Sequence, residues 1–494
     1  MSKLEENDLF IFIQSLRNSE YKSFKRYLQS LNKKDSVLKY KLFEAISKKR
    51  KLDKAKLIKK YALSDKKYSV LKFELFQELI SFLKTNYDTY SDIALQNLVI
   101  EFELLLNSGL YIKANRRLKK IKEIALEKCD FNTCCVVQSK AINHRLYVQT
   151  NPPSNLAKES TKLRKYQELS DNLNTYRLLS DEVLNAHYEY MDKRVHDRET
   201  FLDYLNDPHL QDINMASSVM AKYYFYRIKS LVYFGDNNYE ENKKYSLIAY
   251  NYLKSHPSKY RDDYVHYLIC LNNYLDSSIR LLETEPFMEV YPKIIELVNS
   301  NTKNNSIDIN TQTFQVLCSL KLNYFWLTKD VDSFLKEEQE FEEKYKKYEG
   351  TFRPNFKIEI ILCLAKMYFI SGSLKKANNY CKMINNEKTN PTSLFISCVT
   401  LLRIMINYDM ENYRLIPHLI STSKYSLKKR SRLFNLELQF LNGLHKIKFY
   451  YSEDEKSKLF SELYVKIKTL LENSEEIIVD KEIRILEWLQ EKIQ

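Results

Sequence analysis

Residues 364–384, with the sequence LAKMYFISGSLKKANNYCKMI, predict two short antiparallel helices that pack across one tight turn. Gly372 separates the two helical stretches, and glycine adopts the backbone conformation of such a turn without steric cost. Small and aromatic residues fall at helical spacing where the two helices would touch, at Ala365, Tyr368, Ala377 and Cys381. The fold depends on whether this hairpin stands alone or belongs to a series.

Similar spacings recur at three other places in the chain. The position of Gly372 corresponds to Gly109 in residues 102–121 (FELLLNSGLYIKANRRLKKI). It corresponds to Asn237 in residues 230–253 (SLVYFGDNNYEENKKYSLIAYNYL) and to Lys329 in residues 322–341 (LNYFWLTKDVDSFLKEEQEF). The recurrence favours a series of helix pairs over a single hairpin.

These spacings resemble the tetratricopeptide repeat, a helix–turn–helix unit of about 34 residues. The match is fair at residues 364–384 and degenerate in the other copies, where asparagine or lysine replaces the turn glycine. The resemblance implies an all-α protein in which residues 89–494 form a right-handed α-solenoid of helix pairs. The amphipathic C-terminal segments, of which DKEIRILEWLQEKIQ begins at Asp480, are expected to cap the last pair.

The composition agrees with an all-helical chain. Only 5 glycines and 9 prolines occur in 494 residues. The chain therefore has too few glycines for the many turns of a sheet protein or for a glycine-rich phosphate-binding loop. No apolar run is long enough for a membrane span, and the start, MSKLEEND, is acidic where a secretory signal would be basic. We therefore expect a cytoplasmic protein whose eight cysteines are reduced.

Residues 1–88 are expected to form a basic five-helix module. Residues 1–70 hold 19 Lys and Arg against 8 Asp and Glu, so most of the net charge of +14 lies here. The stretches IQSLRNSEYKSFKRYL and YSVLK in this module also resemble uncharacterised helical-repeat proteins of Bacteroidota bacteria, a resemblance that implies no biochemical role.

The densest run of positive charge is KKRKLDKAKLIKK, residues 48–60. Such a run could neutralise phosphates of a nucleic acid, and it could equally be the solvated face of a helix whose apolar residues enter a core. The candidate nucleic-acid contacts are Lys48, Lys49, Arg50, Lys51, Lys54, Lys56, Lys59 and Lys60.

The sequence predicts no catalytic site, no metal site and no cofactor. Cys129, Cys134, Cys135 and His144 are close in sequence, but a helix would not turn four ligands to one side. The motif RDDYVH, with Arg261 and His266, resembles the Arg–His pair of the helical HEPN ribonucleases, which implies metal-independent RNA cleavage. Because this pattern is short and frequent by chance, an exposed loop and helix start is the preferred interpretation.

We therefore expect a non-enzymatic scaffold that holds a protein or peptide partner. In tetratricopeptide arrays the first helix of each pair lines the concave surface, and the resemblance transfers that role to corresponding positions here. A regulator that uses the basic module on nucleic acid is the alternative, and a HEPN-like ribonuclease is the least favoured. The predicted groove residues are Gln96, Glu103, Asn107, Tyr224, Arg227, Asn323, Trp326, Glu359, Lys366 and Phe369.

Overall fold

Helices and the turns and loops that join them make up the part of the chain that the computed structural model describes, and no β-strand occurs there. This confirms the all-α class that the scarcity of glycine and the helical periodicity predict. The described residues are 8–493 apart from 15, 17, 32–33, 48–53, 62, 87–91, 151–155, 194–198, 258–262, 302–306, 349–351, 353, 386–392, 431–432, 448–451 and 473–476.

The first five helices enclose a hydrophobic cluster of their own, with Phe24, Phe43 and Leu75 fully buried. The Ser64 hydroxyl accepts a hydrogen bond from the Lys67 amide at 3.2 Å, so this serine caps the fifth helix. These helices are α1 (Asp8–Gln14), α2 (Asn18–Ser30), α3 (Lys34–Ser47), α4 (Lys54–Lys60) and α5 (Asp65–Asn86).

The following helices pack mainly against their neighbours in sequence. The long helix α10 lies against α8 and α12, and it also contacts the distant helix α20. Three short 3-10 turns, at Tyr204–Asn206, Pro208–Leu210 and Ile213–Met215, precede α12. The helices of this part are α6 (Asp92–Asn107), α7 (Tyr111–Glu127), α8 (Phe131–Asn143), α9 (Leu146–Gln149), α10 (Leu156–Lys193), α11 (Glu199–Asp203), α12 (Val219–Gly235), α13 (Tyr239–Ser255), α14 (Asp263–Arg280) and α15 (Glu285–Asn301).

In the C-terminal part, α16, α18 and α20 pack side by side, and each also packs on the helix that follows it. None of the helices in the described part of the chain combines the length and apolar character needed to cross a lipid bilayer. The remaining helices are α16 (Ile307–Thr328), α17 (Val331–Tyr348), α18 (Pro354–Ile370), α19 (Leu374–Asn385), α20 (Ser393–Asp409), α21 (Ile416–Lys429), α22 (Asn435–Lys446), α23 (Glu453–Leu471), α24 (Ile477–Ile483) and α25 (Ile485–Glu491).

The four turn positions that the sequence aligned share one backbone conformation. Gly109 and Gly372 have φ values of 72° and 73°, and Asn237 and Lys329 have φ values of 57° and 55°. This left-handed residue ends the first helix and allows the next amide to bond back into it, as in the 2.8 Å bond from the Asn238 amide to the Tyr233 carbonyl. The aligned spacings therefore mark real helix–turn–helix joints.

Other helix pairs use the same joint without a recognisable sequence signal. Leu282 between α14 and α15 has a φ of 63°, and Glu411 between α20 and α21 has a φ of 58°. The Glu283 amide bonds to the Ser278 carbonyl at 2.9 Å, and the Asn412 amide bonds to the Asn407 carbonyl at 3.0 Å. Neither turn residue is glycine or asparagine, and neither joint is among the four recurring spacings in the sequence.

The C-terminal segment differs from the single helix expected to start at Asp480. The helix α24 already begins at Ile477 and ends at Ile483, and α25 starts after Arg484, whose φ is 53°. Asp480 lies inside α24, where its carboxylate accepts a 2.8 Å hydrogen bond from the Leu486 amide across the break. The carboxylate thereby fixes the angle between the two short helices.

Candidate partner-binding site

Four of the predicted groove residues meet on helices α16 and α18. Lys366 Nζ lies 3.3 Å from the side-chain oxygen of Asn323 and 5.3 Å from the centre of the Trp326 ring. The Glu359 carboxylate accepts a hydrogen bond from the Ser319 hydroxyl. These four predicted positions therefore lie on two neighbouring helices.

The chain's own helix α24 covers this surface. Glu482 accepts a hydrogen bond from Lys366 Nζ at 3.2 Å, and its carboxylate lies 3.9 Å from the guanidinium of Arg280 on α14. Arg280 in turn donates to Asp276 at 2.9 Å. Lys366 is 1% exposed and Trp326 is 6% exposed. The expectation that these two residues line an open groove is therefore wrong for this structure, because the C-terminal helix occupies the place of a partner.

The charges of this cluster stabilise one another. Burial is the largest single effect on Lys366 and would lower its pKa, but the charge and hydrogen bond of Glu482 together with the nearby Cys363 and Cys398 raise the pKa overall. Burial alone would raise the pKa of Glu482, but the charges of Lys366 and Arg280 outweigh it and lower the pKa. Burial also raises the pKa of Glu359, against the hydrogen bond from Ser319. The Lys366–Glu482 pair is therefore ionised at neutral pH.

Further contacts fasten the C-terminal segment along α16 and α20. The Arg484 guanidinium donates to the carbonyls of Trp326 at 2.6 Å and Leu327 at 3.2 Å, which satisfies acceptors left free at the end of α16. The Trp488 indole donates to Asp409 of α20 at 3.0 Å. The segment thus bridges helices α14, α16, α18 and α20.

Sequence reasoning missed the residues that cover the predicted groove. Asp276 and Arg280 are charged residues one helical turn apart on α14, and Glu482 and Arg484 flank the break between α24 and α25. Charged residues in otherwise apolar helices are the signal that was available. That signal indicates that a charged side chain is buried, but it does not show which opposite charge pairs with it.

A second, open cleft lies between helices α6–α8, α10 and α12–α14. Its volume is about 800 Å³, within the size range of ligand pockets. Apolar residues such as Leu173 and Met220 contribute part of its wall, and the Ser170 hydroxyl in the wall donates to the Asn132 side chain at 2.7 Å. The polar lining residues are Gln96, Glu127, Lys128, Asp130, Asn132, Ser170, Asn174, Arg177, His256 and His266.

Two more predicted groove residues lie beside this cleft. The Tyr224 ring lies between the guanidinium groups of Arg177 and Arg227, whose central carbons are 6.0 Å and 5.7 Å from the ring centre. The His266 ring lies 4.8 Å from Tyr223 and 6.4 Å from Tyr224. Arg177 and His266 therefore connect Tyr224 and Arg227 to the cleft, which Gln96 lines directly.

The remaining predicted groove residues lie elsewhere. Glu103 forms an ion pair with Lys140 of α8. Asn107 is exposed at the end of α6 and does not line the cleft, and Phe369 is half-buried against the C-terminal core. The structure thus divides the predicted groove into a covered part, a part at the open cleft and these three separate positions.

The structure describes only part of the HEPN-like Arg–His pair and of the basic run at residues 48–60. Arg261 lies outside the described residues, so its distance from His266 is unknown. Within the basic run, residues 48–51 and the side chains of Lys54 and Lys56 also lie outside them. Lys59 and Lys60 are exposed, and Lys60 Nζ lies 5.3 Å from the centre of the Tyr61 ring.

The cysteines are unpaired thiols in the structure. Burial raises the pKa of the Cys134 and Cys270 thiols to about 12, which disfavours the reactive thiolate. Among the described residues, no group of three or more His, Cys, Asp and Glu side chains is placed to hold a metal ion.

Comparison of the chain with protein-family models, with curated proteins and with solved structures finds no match. The functional assignment that follows therefore depends on the geometry of the chain alone.

Proposed function

We propose that this protein is a scaffold that binds an extended peptide segment of a protein partner in the open cleft between α6–α8, α10 and α12–α14. We infer that its helix pairs from residue 89 onward form a right-handed solenoid like that of tetratricopeptide repeats. Repeated left-handed turns support this arrangement, as do hydrophobic clusters that follow one another along the chain.

The single observation that carries the proposal is the open cleft with side-chain amides in its wall. Each primary amide offers a donor and an acceptor, which matches the C=O and N–H groups of a peptide backbone. Asn174 makes no hydrogen bond with a described residue, and Gln96 is exposed, so both can pair with a ligand. Arg177 adds a cation at the rim for a carboxylate of the peptide.

The covered surface on α16 and α18 supports the choice of this cleft over the C-terminal part of the predicted groove. A partner at Lys366 would first have to displace Glu482, and separating a buried ion pair leaves an uncompensated charge. The cleft offers Gln96, Asn174 and Arg177 without such a displacement.

Selection from a displayed library of random peptides tests the proposal. We expect the full chain to enrich a peptide family and the variant Asn174→Leu with Arg177→Ala to lose at least tenfold in affinity for it, about 1.4 kcal/mol. Leu178→Ser, at an exposed position next to Arg177, is the matched control and should bind as the parent does. The proposal fails if no family is enriched, or if the double variant binds as well as the control.

Binding of nucleic acid through the basic module is the second candidate, supported by the exposed Lys59 and Lys60. Titration of a mixed-sequence duplex at rising salt separates the candidates, since phosphate contacts give a steep salt dependence. Neutralising Lys48, Lys49, Arg50 and Lys51 should reduce that slope if this candidate is correct. Absence of binding at low salt removes it.

A further inference from the structure

The outer surface of the α6–α7 hairpin carries large apolar side chains in solvent. Ile100 is 56% exposed and Leu104 is 62% exposed, one turn apart on α6. Leu104 and the half-buried Leu105 form one wall of a shallow groove between the two helices, with a volume of about 680 Å³. Exposed apolar residues that are grouped along a groove, unlike single ones, are typical of interaction surfaces.

The opposite wall of this groove is a row of cations. Lys113, Arg116, Arg117 and Lys120 line it from α7, three and four residues apart and therefore on one side of the helix. Arg117 pairs with Glu101 of α6 at 2.6 Å. The side chains of Lys113, Arg116 and Lys120 make no ion pair or hydrogen bond with any residue that the structure describes.

This row is unfavourable for the free chain. Like charges at such spacings on a helix each destabilise it by about 0.2–0.5 kcal/mol, and Glu101 neutralises only one of the four cations. An acidic partner would relieve the repulsion of the other three. The row therefore specifies negative charge in whatever binds here.

We propose that the α6–α7 groove binds an amphipathic helix of a partner protein that carries an acidic stripe beside an apolar stripe. Lys113 and Lys120 are seven positions apart, about 10 Å along the helix, and acidic residues at i, i+3 or i+4 and i+7 of a second helix repeat over the same distance. The apolar stripe would cover Leu104 and Leu105. This surface is separate from the peptide cleft, so either proposal can fail alone.

A protein helix fits better than the other polyanions. Nucleic acid would leave the aliphatic wall at Leu104 exposed, and none of the residues lining this groove is aromatic, so none can stack on bases. An anionic membrane would meet a concave surface that contains the carboxylate of Glu101. Only a ligand with both apolar and acidic side chains satisfies both walls.

Fluorescence titration of the full chain tests this proposal. The probe is a labelled synthetic 20-residue helix with leucine on one side and glutamate on the adjacent side. A peptide of the same composition in scrambled order, a DNA duplex and vesicles of anionic lipid are the comparison ligands. We expect the ordered helix to bind at least tenfold more tightly than the scrambled peptide, and to weaken with rising salt.

The variants separate the two walls. Leu104→Glu and Arg116→Glu should each weaken binding of the helix at least tenfold. Lys119→Glu makes the same charge change at an exposed position of α7 outside the groove, and should have less than a threefold effect. Circular dichroism checks that each variant is folded, as the exposure of both side chains leads us to expect.

The proposal is overturned if the ordered helix does not bind, or if the scrambled peptide binds equally well. It is also overturned if Leu104→Glu binds like the parent, or if the duplex or the vesicles bind more tightly than the helix and depend on the same residues.

Discussion

Lys366 and Glu482 form an ion pair of 3.2 Å that joins helix α18 to helix α24 across 116 residues of sequence. Lys366 is almost completely buried, and Arg280 lies on the other side of the same carboxylate. The pair determines what the surface of α16 and α18 can do, because Lys366 would remain buried without a counterion if Glu482 left.

Replacing Glu482 should therefore destabilise the protein strongly. We expect Glu482→Gln to lower the free energy of unfolding by about 3 kcal/mol, since Lys366 and Arg280 lose their common carboxylate in a buried site. Urea denaturation followed by circular dichroism measures the change. Glu340→Gln is the matched control, because its ion pair with Lys344 is exposed and is worth less than about 1 kcal/mol. Equal effects of the two substitutions would contradict the assignment.

The stability of the protein should fall in mild acid because of His187. Burial against Phe201 and Phe234, with a smaller effect of the Arg280 charge, lowers the pKa of His187 to about 4 from 6.5. His187 therefore takes up a proton near pH 6.5 in the unfolded chain but only near pH 4 in the folded chain. Stability contributed by the neutral ring is thus present above pH 6.5 and is lost as the pH falls toward 4.

The substitution His187→Phe removes this titration and should reduce the loss of stability between pH 7 and pH 5 by about 2 kcal/mol. Thermal unfolding of the parent and the variant at both pH values measures the difference. His418→Gln replaces a histidine at an exposed position and is the matched control. If the parent and His187→Phe lose the same stability in acid, the histidine is not the cause.

The sequence predicted the helix pairs well where the turn residue is small, at Gly109, Gly372 and Asn237. Its other aligned turn, Lys329, came from the spacing of the surrounding aromatic residues, and all four are left-handed. The joint at Leu282 was missed because leucine does not favour its left-handed backbone and the joint is not among the aligned spacings. Local patterns thus identify a turn where its residue favours the conformation or where the neighbouring residues repeat the spacing.

Relieving the left-handed backbone of Leu282 should increase the stability of the protein. Leu282 has a φ of 63° and is 72% exposed, so its side chain adds strain without burial. We expect Leu282→Gly to raise the free energy of unfolding by about 1 kcal/mol. Leu335→Gly, at an exposed position inside α17, should lower it by about the same amount. A loss of stability in Leu282→Gly would show that the leucine makes a favourable contact.

The covered groove could not be predicted from the sequence for a different reason. The contacts that cover it join residues far apart, such as Arg484 and the Trp326 carbonyl, which are 158 positions apart. Periodicity and spacing in the sequence predict contacts between residues that are close along the chain, but they do not predict contacts between residues this far apart. The apolar stripe of the C-terminal segment was visible, but its partner surface was not.

The contacts of α24 and α25 with α16, α18 and α20 predict that these two C-terminal helices stabilise the rest of the chain as a bound peptide would. Val479, Ile483, Ile485, Trp488 and Leu489 are all buried, and burial of five such side chains contributes on the order of 10 kcal/mol. Deleting residues 473–494 should therefore lower the melting temperature markedly and expose the amides of α16 and α18 to hydrogen exchange.

A synthetic peptide of residues 473–494, added to the truncated chain, should restore the protection of α16 and α18 and shift the fluorescence of Trp488. The same peptide with Glu482→Ala should bind at least tenfold less tightly, because it leaves Lys366 without its counterion. If truncation leaves melting and exchange unchanged, or if both peptides restore protection equally, the segment does not hold the surface of α16 and α18 in the way that these contacts require.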